Sequence, residues 1–240
     1  MSIAAVIAGA GSGTRLGAHM PKALVPLGGV PLLVHAIRGM NDAGIDDVVV
    51  TIPAGAEALV AFEQALAVSG VRAQLVVGAS TRQGSVSRGL AAVNSDFVLI
   101  HDAARALTPP AVIVRVREAL EAGYDAVVPA LPVTDTIKAV GMKEECGFGV
   151  VELVGETLER TNLRAMQTPQ GFRTELVRSA HAAGRARGLD ELSAAPDDAA
   201  LVEAIGERVV LVPGSPEAMK VTTAWDLAVA EMLLEKRGER

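Results

Sequence analysis

Ala8-Gly9-Ala10-Gly11-Ser12-Gly13-Thr14-Arg15-Leu16-Gly17, followed five residues later by Lys22 in Met20-Pro21-Lys22-Ala23-Leu24, decides how the chain is read. It comes directly after Ile3-Ala4-Ala5-Val6-Ile7, an apolar and partly β-branched run too short for a helix. A buried strand that breaks into a glycine-rich loop is therefore expected. Glycine reaches backbone angles closed to other residues and lets the main chain approach a ligand, so that successive N–H groups can converge on an anion. The glycines alone fit a tight turn nearly as well. Arg15 and Lys22, two cations at the end of the loop, favour the anion.

The spacing excludes one familiar phosphate loop and weakens the case for another. A Walker-type loop ends in Gly-Lys-Ser/Thr, where this chain has Gly13-Thr14-Arg15. A dinucleotide fingerprint needs glycine at Thr14 and an acid closing the second strand, which here ends Val50-Thr51-Ile52-Pro53.

The rest of the chain sets the bounds. Of 240 residues 50% are apolar but only 2% aromatic, so a sizeable core must be built from Ala, Val, Leu and Ile. With 22 basic against 28 acidic residues the net charge is −6, which argues against a nucleic-acid partner and makes any local gathering of cations informative. The one cysteine, Cys146, excludes an internal disulfide and a cysteine metal cluster. His19, His35, His101 and His181 show no metal-ligand spacing. The start Met1-Ser2-Ile3-Ala4 has no basic segment and the next apolar run is too short to span a membrane, so a soluble cytoplasmic protein is expected.

Apolar periodicity predicts a helix from Pro31 to Gly44 on Leu33, Ile37 and Met40, a strand Val48 to Ile52, a helix around Glu57 to Val68 and a strand Gln74 to Val77. A helix Ser85 to Val93, a strand Phe97 to Ile100, a helix from Pro109-Pro110 through Leu120 and a strand Asp125 to Val128 follow. This alternation predicts an α/β fold, a Rossmann-like open and mostly parallel sheet with helices on both faces. The pattern then changes. Thr134 to Val140 and Gly149 to Val154 read as two strands around a polar Gly141 to Gly147 segment, a projecting hairpin whose edges need cover. Residues 134–155 are read as a dimerisation arm on a single domain spanning 1–240, with a homodimer as the expected assembly. Beyond it a helix Thr174 to about Arg187, a short helix to Ile205, a strand Arg208 to Val212 and a final helix Ala224 to Glu235 are expected, the last with Trp225, Ala228 and Met232 inward.

The polar residues share a position. Arg15 and Lys22 follow the first strand, Arg82 and Ser85 the third, Asp102 and Arg105 the fourth, and Thr136 lies beyond the fifth. All are carboxyl-end loops, where open parallel sheets bind ligands. Ser85, at a helix N-terminus, suits either a ligand or a simple cap, and Arg82 either an anion or solvent. Asp102 suits a divalent metal, a ribose hydroxyl, or a local ion pair with Arg105. A Ser85, His101, Asp102 triad is disfavoured, because no nucleophile-elbow sequence is present. A nucleoside triphosphate with magnesium, beside a phosphorylated co-substrate, accounts for cations along one rim of an acidic protein.

The series Gly11-Ser12-Gly13-Thr14-Arg15-Leu16-Gly17 with Pro21-Lys22-Ala23-Leu24, Arg82-Gln83-Gly84-Ser85-Val86, His101-Asp102-Ala103-Ala104-Arg105, Asp135-Thr136-Ile137-Lys138, Thr157-Leu158-Glu159-Arg160, Gln167-Thr168-Pro169-Gln170 and Lys220-Val221-Thr222 resembles the 2-C-methyl-D-erythritol 4-phosphate cytidylyltransferases. The resemblance implies transfer of CMP from CTP to methylerythritol phosphate with release of pyrophosphate, aided by Mg2+ or another divalent cation, in the non-mevalonate route to isoprenoids. It also implies roles: Arg15 and Lys22 at the α-phosphorus; Ala10, Gly11, Ser12, Gly13, Thr14, Gly78, Ser85 and Asp102 around the nucleotide, Asp102 also toward the metal; and Arg105, Thr136, Arg160, Thr168 and Lys220 around the methylerythritol phosphate, some reaching across a dimer. Two departures stand out: Ala8-Gly9-Ala10-Gly11 where the family usually opens Pro-Ala-Ala-Gly, and Ala106 where a proline commonly follows Arg105. The sister ribitol 5-phosphate cytidylyltransferases share the nucleotide half. A nucleotide-binding regulator without turnover would share all of it.

Overall fold

Ile3–Ala8 forms β1, buried along almost its whole length, as expected of a strand covered on both faces. The computed structural model describes residues 1–11, 13 and 20–238. After β1 come the short pair β2 (Pro26–Leu27) and β3 (Val30–Pro31), then α1 (Leu32–Asp42), β4 (Val48–Ile52), α2 (Ala56–Ser69) and β5 (Gln74–Val77). The middle of the chain gives α3 (Arg82–Ala91), β6 (Phe97–Asp102), α4 (Pro110–Glu121), β7 (Ala126–Pro132) and the hairpin β8 (Lys138–Cys146) and β9 (Gly149–Thr157). The last third gives β10 (Arg164–Met166), β11 (Gln170–Arg173), α5 (Thr174–Ala183), α6 (Asp198–Ala204), β12 (Val210–Pro213) and α7 (Ala224–Arg237).

The main sheet runs β10-β7-β11-β6-β1-β4-β5, with β12 also paired to β7. β1, β4, β5 and β6 are parallel, as are β7 and β12. Successive strand side chains point to opposite faces and so feed two separate cores. Ala5 and Ile7 pack with Leu33, Ile37 and Met40 of α1, Phe62 of α2 and Ile113 and Val116 of α4. Ala4 and Val6 pack with Val86 and Leu90 of α3, Val177 of α5 and Leu201 of α6. The expected mostly parallel α/β sheet is present.

Four expectations are corrected. The first is at α3, which begins at Arg82, with Thr81 as its N-cap accepting from the Gly84 N–H at 3.0 Å. Ser85 therefore sits a turn inside the helix and not at its end. In the final helix the buried residues are Ala230 and Leu234, whereas Trp225 is 78% exposed. The stripe through Trp225, Ala228 and Met232 is the outer face: α7 meets the body through Leu27, Leu32, Leu107 and Val221, and these select the opposite side. At the arm, the polar Gly141 to Gly147 segment is strand as far as Cys146, because the alternating charges line an exposed ladder in which Lys143 pairs with Glu152.

The fourth correction is the largest. Leu163 to Gln170 is not a plain return: β10 and β11 both run antiparallel along β7, and β11 fills the place between β6 and β7. The register along β7 slips by two residues across Gln167, Thr168 and Pro169. That bulge turns Thr168 toward the end of β6.

Candidate active site

A cleft of about 480 Å3 opens at the carboxyl ends of β1, β5 and β6. Among the described residues it is lined by the loop after β1, by Lys22, by Thr81, Arg82 and Ser85, and by Asp102, Glu191, Lys220 and Thr222. The loop is fastened by its own backbone: Gly9 N–H donates to Thr51 O at 3.0 Å and Lys22 N–H to Gly11 O at 3.1 Å. Gly13 has φ +74°, and a side chain there would meet Lys22 Cα 3.1 Å away. Glycine is thus required for the loop to close against Lys22.

Asp102, at the last position of β6, is the electrostatic centre. Its Oδ1 accepts from Arg82 Nε at 2.9 Å, Lys220 Nζ lies 2.8 Å from its Oδ2, and Arg105 Nε stands 3.9 Å from the same oxygen. Burial opposes ionisation of the carboxyl, but Arg82 and Lys220 outweigh it and hold the group well below the usual carboxylate range. Arg82 is itself shared: Nη1 donates to Asp198 Oδ2 at 2.9 Å, and the two carboxylates keep its pKa above the ordinary value against the cost of burial. Of the two readings left open for Arg82, an anion or solvent, the structure departs from the solvent one: two acids far apart in sequence draw it in.

Behind Asp102 lies a neutral support. The Asp102 N–H donates to Thr168 Oγ1 at 3.1 Å, and Thr168 Oγ1 lies 2.8 Å from His101 Nδ1. Burial pushes the His101 imidazole down to about 4, so near neutrality Nδ1 accepts the threonine hydroxyl proton. A base whose pKa is lower in the folded state than its usual 6.5 stabilises the fold above that value, and the contribution falls away as pH drops from about 6.5 toward 4. At pH 5 the loss amounts to about 2 kcal/mol relative to pH 7. Urea unfolding at both pH values should show this extra acid sensitivity in the wild type and a smaller one in His101→Asn, which keeps an acceptor for Thr168 and cannot titrate; equal pH slopes would refute it.

The IspD family model, described as 2-C-methyl-D-erythritol 4-phosphate cytidylyltransferase, matches residues 3–236. The chain belongs to the 2-C-methyl-D-erythritol 4-phosphate cytidylyltransferase family. It is 48% identical to the enzyme of that name from Rhodococcus jostii over 236 residues, covering 98% of this chain and 96% of that one. It is 46% identical to the one from Saccharopolyspora erythraea over 240 residues, covering 98% and 100%. The crystal structure of the Thermus thermophilus cytidylyltransferase superposes with a TM-score of 0.77 at 37% identity, covering 98% of this chain and all of that one.

Seven of the residues expected around the substrates of a cytidylyltransferase come together in the cleft. Ala10, Gly11, Gly13, Lys22, Ser85, Asp102 and Lys220 line it. Ser12, Thr14 and Arg15 lie outside the described residues. Gly78 adjoins the cleft wall, where a side chain would meet Ser85 Oγ at 2.7 Å and Ala10 Cβ at 2.9 Å, so its role is close packing of the two loops. The Ser85 hydroxyl accepts from Ala79 N–H at 3.0 Å and donates to Thr81 O at 2.8 Å, which shapes that loop. Arg105 spends its Nη atoms on Ala218 O and Met166 O, tying the segment before Lys220 to β10. Thr168 stands behind Asp102. Thr136 and Arg160 do not line the cleft: both are exposed near the base of the arm, where Arg160 Nη1 donates to Thr134 O at 2.6 Å.

Sequence reasoning missed Asp198, His181 and Gln170. Their one visible signal was Asp197-Asp198 ahead of a short apolar helix, a capping pattern in which Asp197 accepts from Ala200 N–H and leaves Asp198 to face inward. No group of three or more His, Cys, Asp or Glu that could hold a metal ion occurs among the described residues. Asp102 and Glu191 are the two carboxylates on the cleft wall among the described residues, too few for an all-protein cage and suited to an ion carried in on substrate phosphates, as magnesium commonly is.

Proposed function

We propose that the cleft transfers the cytidylyl group of CTP to 2-C-methyl-D-erythritol 4-phosphate, giving 4-diphosphocytidyl-2-C-methyl-D-erythritol and pyrophosphate. The observation that carries this reading is the convergence of Lys22, Lys220 and the glycine loop on one cleft around Asp102, in a chain of this family. A phosphate oxygen of the co-substrate attacks the α-phosphorus, the bond from that phosphorus to the bridging oxygen breaks, and pyrophosphate leaves. The attacking phosphate is already anionic near neutrality, so no general base is required. The chain's task is to hold two anions together and to stabilise charge growing on the α-phosphate and the leaving group. Lys22 and Arg15 serve the α-phosphate, the loop amides the triphosphate, and Lys220 the incoming phosphate. Mg2+ would be held by Asp102 together with the nucleotide phosphates and would neutralise charge on the departing pyrophosphate.

The assembly belongs to the same proposal: one domain, with the 134–155 arm making a cytoplasmic homodimer in which Thr136 and Arg160 reach the partner's cleft. Its support is the exposed apolar surface on the arm, where Val140 pairs with Val154, each 64% exposed, and Phe148 is 88% exposed. Val154→Asp is expected to convert a dimer to a monomer in size-exclusion chromatography with light scattering. A wild type already monomeric at micromolar concentration would end this part of the reading.

The test of function is pyrophosphate release by the purified protein with CTP and Mg2+, offered methylerythritol 4-phosphate or ribitol 5-phosphate. Release with the first alone is expected. Release with ribitol phosphate only would move the pathway, and CTP binding with no release would make the chain a regulator.

A further inference from the structure

The buried polar side chains that this chemistry leaves unexplained are Asp198 and His181. Asp198 opens α6 with its side chain 1% exposed, and His181, on α5, is 3% exposed. His181 Nε2 donates to Asp198 Oδ1 at 2.9 Å, while Asp198 Oδ2 accepts from Arg82 Nη1. The start of α6 is clamped to β11: Gln170 Oε1 accepts from the N–H groups of Asp198 at 3.2 Å and Ala199 at 3.0 Å, and Gln170 Nε2 donates to Asp197 Oδ2. A run of direct contacts therefore leads from His181 through Asp198 and Arg82 to Asp102, which lies in the cleft.

Arginine suits the middle of that run. Its guanidinium carries donors on two edges in a fixed plane, here Nε toward Asp102 and Nη1 toward Asp198. Arg82 also lines the cleft, and a guanidinium beside an incoming triphosphate pairs readily with phosphate oxygens. Held on one edge alone, it would exchange Asp102 for the ligand. With Asp198 holding the other edge, it stays on Oδ1 and leaves Oδ2, the oxygen facing Lys220, toward the ligand.

We propose that Asp198, oriented by His181 and the Gln170 clamp, is a positioning residue that keeps Arg82 on Asp102 and off the substrate phosphates. The proposal rests on the nucleotidyl-transfer reading of the cleft. Asp198→Asn keeps the shape and an acceptor but removes the charge, so its kcat should fall about tenfold while KM for CTP stays level or drops, a split that a merely loosened fold does not give. Arg82→Lys, which keeps one charge but cannot span two carboxylates, should show a similar fall in kcat. The double variant should be no worse than the poorer single, because both remove one coupled unit.

Against poor folding of Asp198→Asn, two changes at His181 serve. His181→Leu should lower kcat by roughly threefold at unchanged KM, and His181→Gln, which retains an N–H for Asp198, should restore it. Wild-type turnover in the same assay tests the underlying reading by itself; an inactive wild type removes both. With an active wild type, kcat within about twofold of normal in folded Asp198→Asn, losses that multiply in the double variant, or no difference between the Leu and Gln changes would overturn the positioning role alone.

Discussion

Lys22→Ala is expected to lower kcat by roughly 10²-fold or more, the scale of losing one donor aimed at a developing oxyanion. The effect should be mainly catalytic, the charge that Lys22 presents to the partly exposed Asp226 being worth little to stability. Lys22 holds the loop through its backbone N–H on Gly11 O, a bond that alanine keeps, and its side chain lines the cleft without being deeply buried. Differential scanning calorimetry should therefore find Tm little changed while turnover collapses. Lys22→Arg should recover part of the loss, since the charge is retained with a different reach. The same size of fall is expected for Arg15→Ala. Near-normal turnover in either alanine variant would overturn the assignment of these cations to the α-phosphate.

Asp102→Asn should damage both stability and turnover. It leaves Arg82 and Lys220 facing a neutral amide; breaking a buried pair by removing one partner costs about 3–5 kcal/mol, and the lower end is expected because Arg82 keeps Asp198. Turnover should fall roughly 10²-fold as the ligand-facing carboxylate is lost. The pH dependence distinguishes this from a packing defect. Asp102 has a folded pKa below its unfolded value, so its stabilisation is complete above about pH 4 and is lost as pH falls further. The stability gap between wild type and Asp102→Asn, measured by urea unfolding, should be constant from about pH 5 to 8 and shrink under stronger acid. A gap that does not narrow would mean that the asparagine simply packs badly.

What the sequence disclosed follows from the range of the forces involved. Strands β1, β4 and β6 are continuous apolar runs, and α1 carries its inward residues at helical spacing, so local pattern sufficed to find them. The ends of β1, β5 and β6 placed Lys22, Ser85 and Asp102 beside one cleft. Local pattern failed where a distant partner decides. Arg82 looks like a surface arginine until Asp198 arrives from α6. The three-residue β10 is too short to show a period, and its strand character comes from β7. On α7 two apolar faces compete, and only the body it docks on selects Leu234 over Trp225.

The antiparallel β11 also governs the order in which the molecule can be made. Every hydrogen-bonded partner of β7 in the main sheet, β10, β11 and β12, comes later in the chain, and β6 gains its second neighbour only when β11 arrives. As the chain emerges from the ribosome, β7 is left with two bare edges while the whole arm is synthesised. Val127 and Val128, fully covered in the finished fold, have no strand partner to cover them during that interval. Asp102 meanwhile lacks the Thr168 hydroxyl at its back, and its Lys220 partner arrives only when more than nine tenths of the polypeptide has been translated.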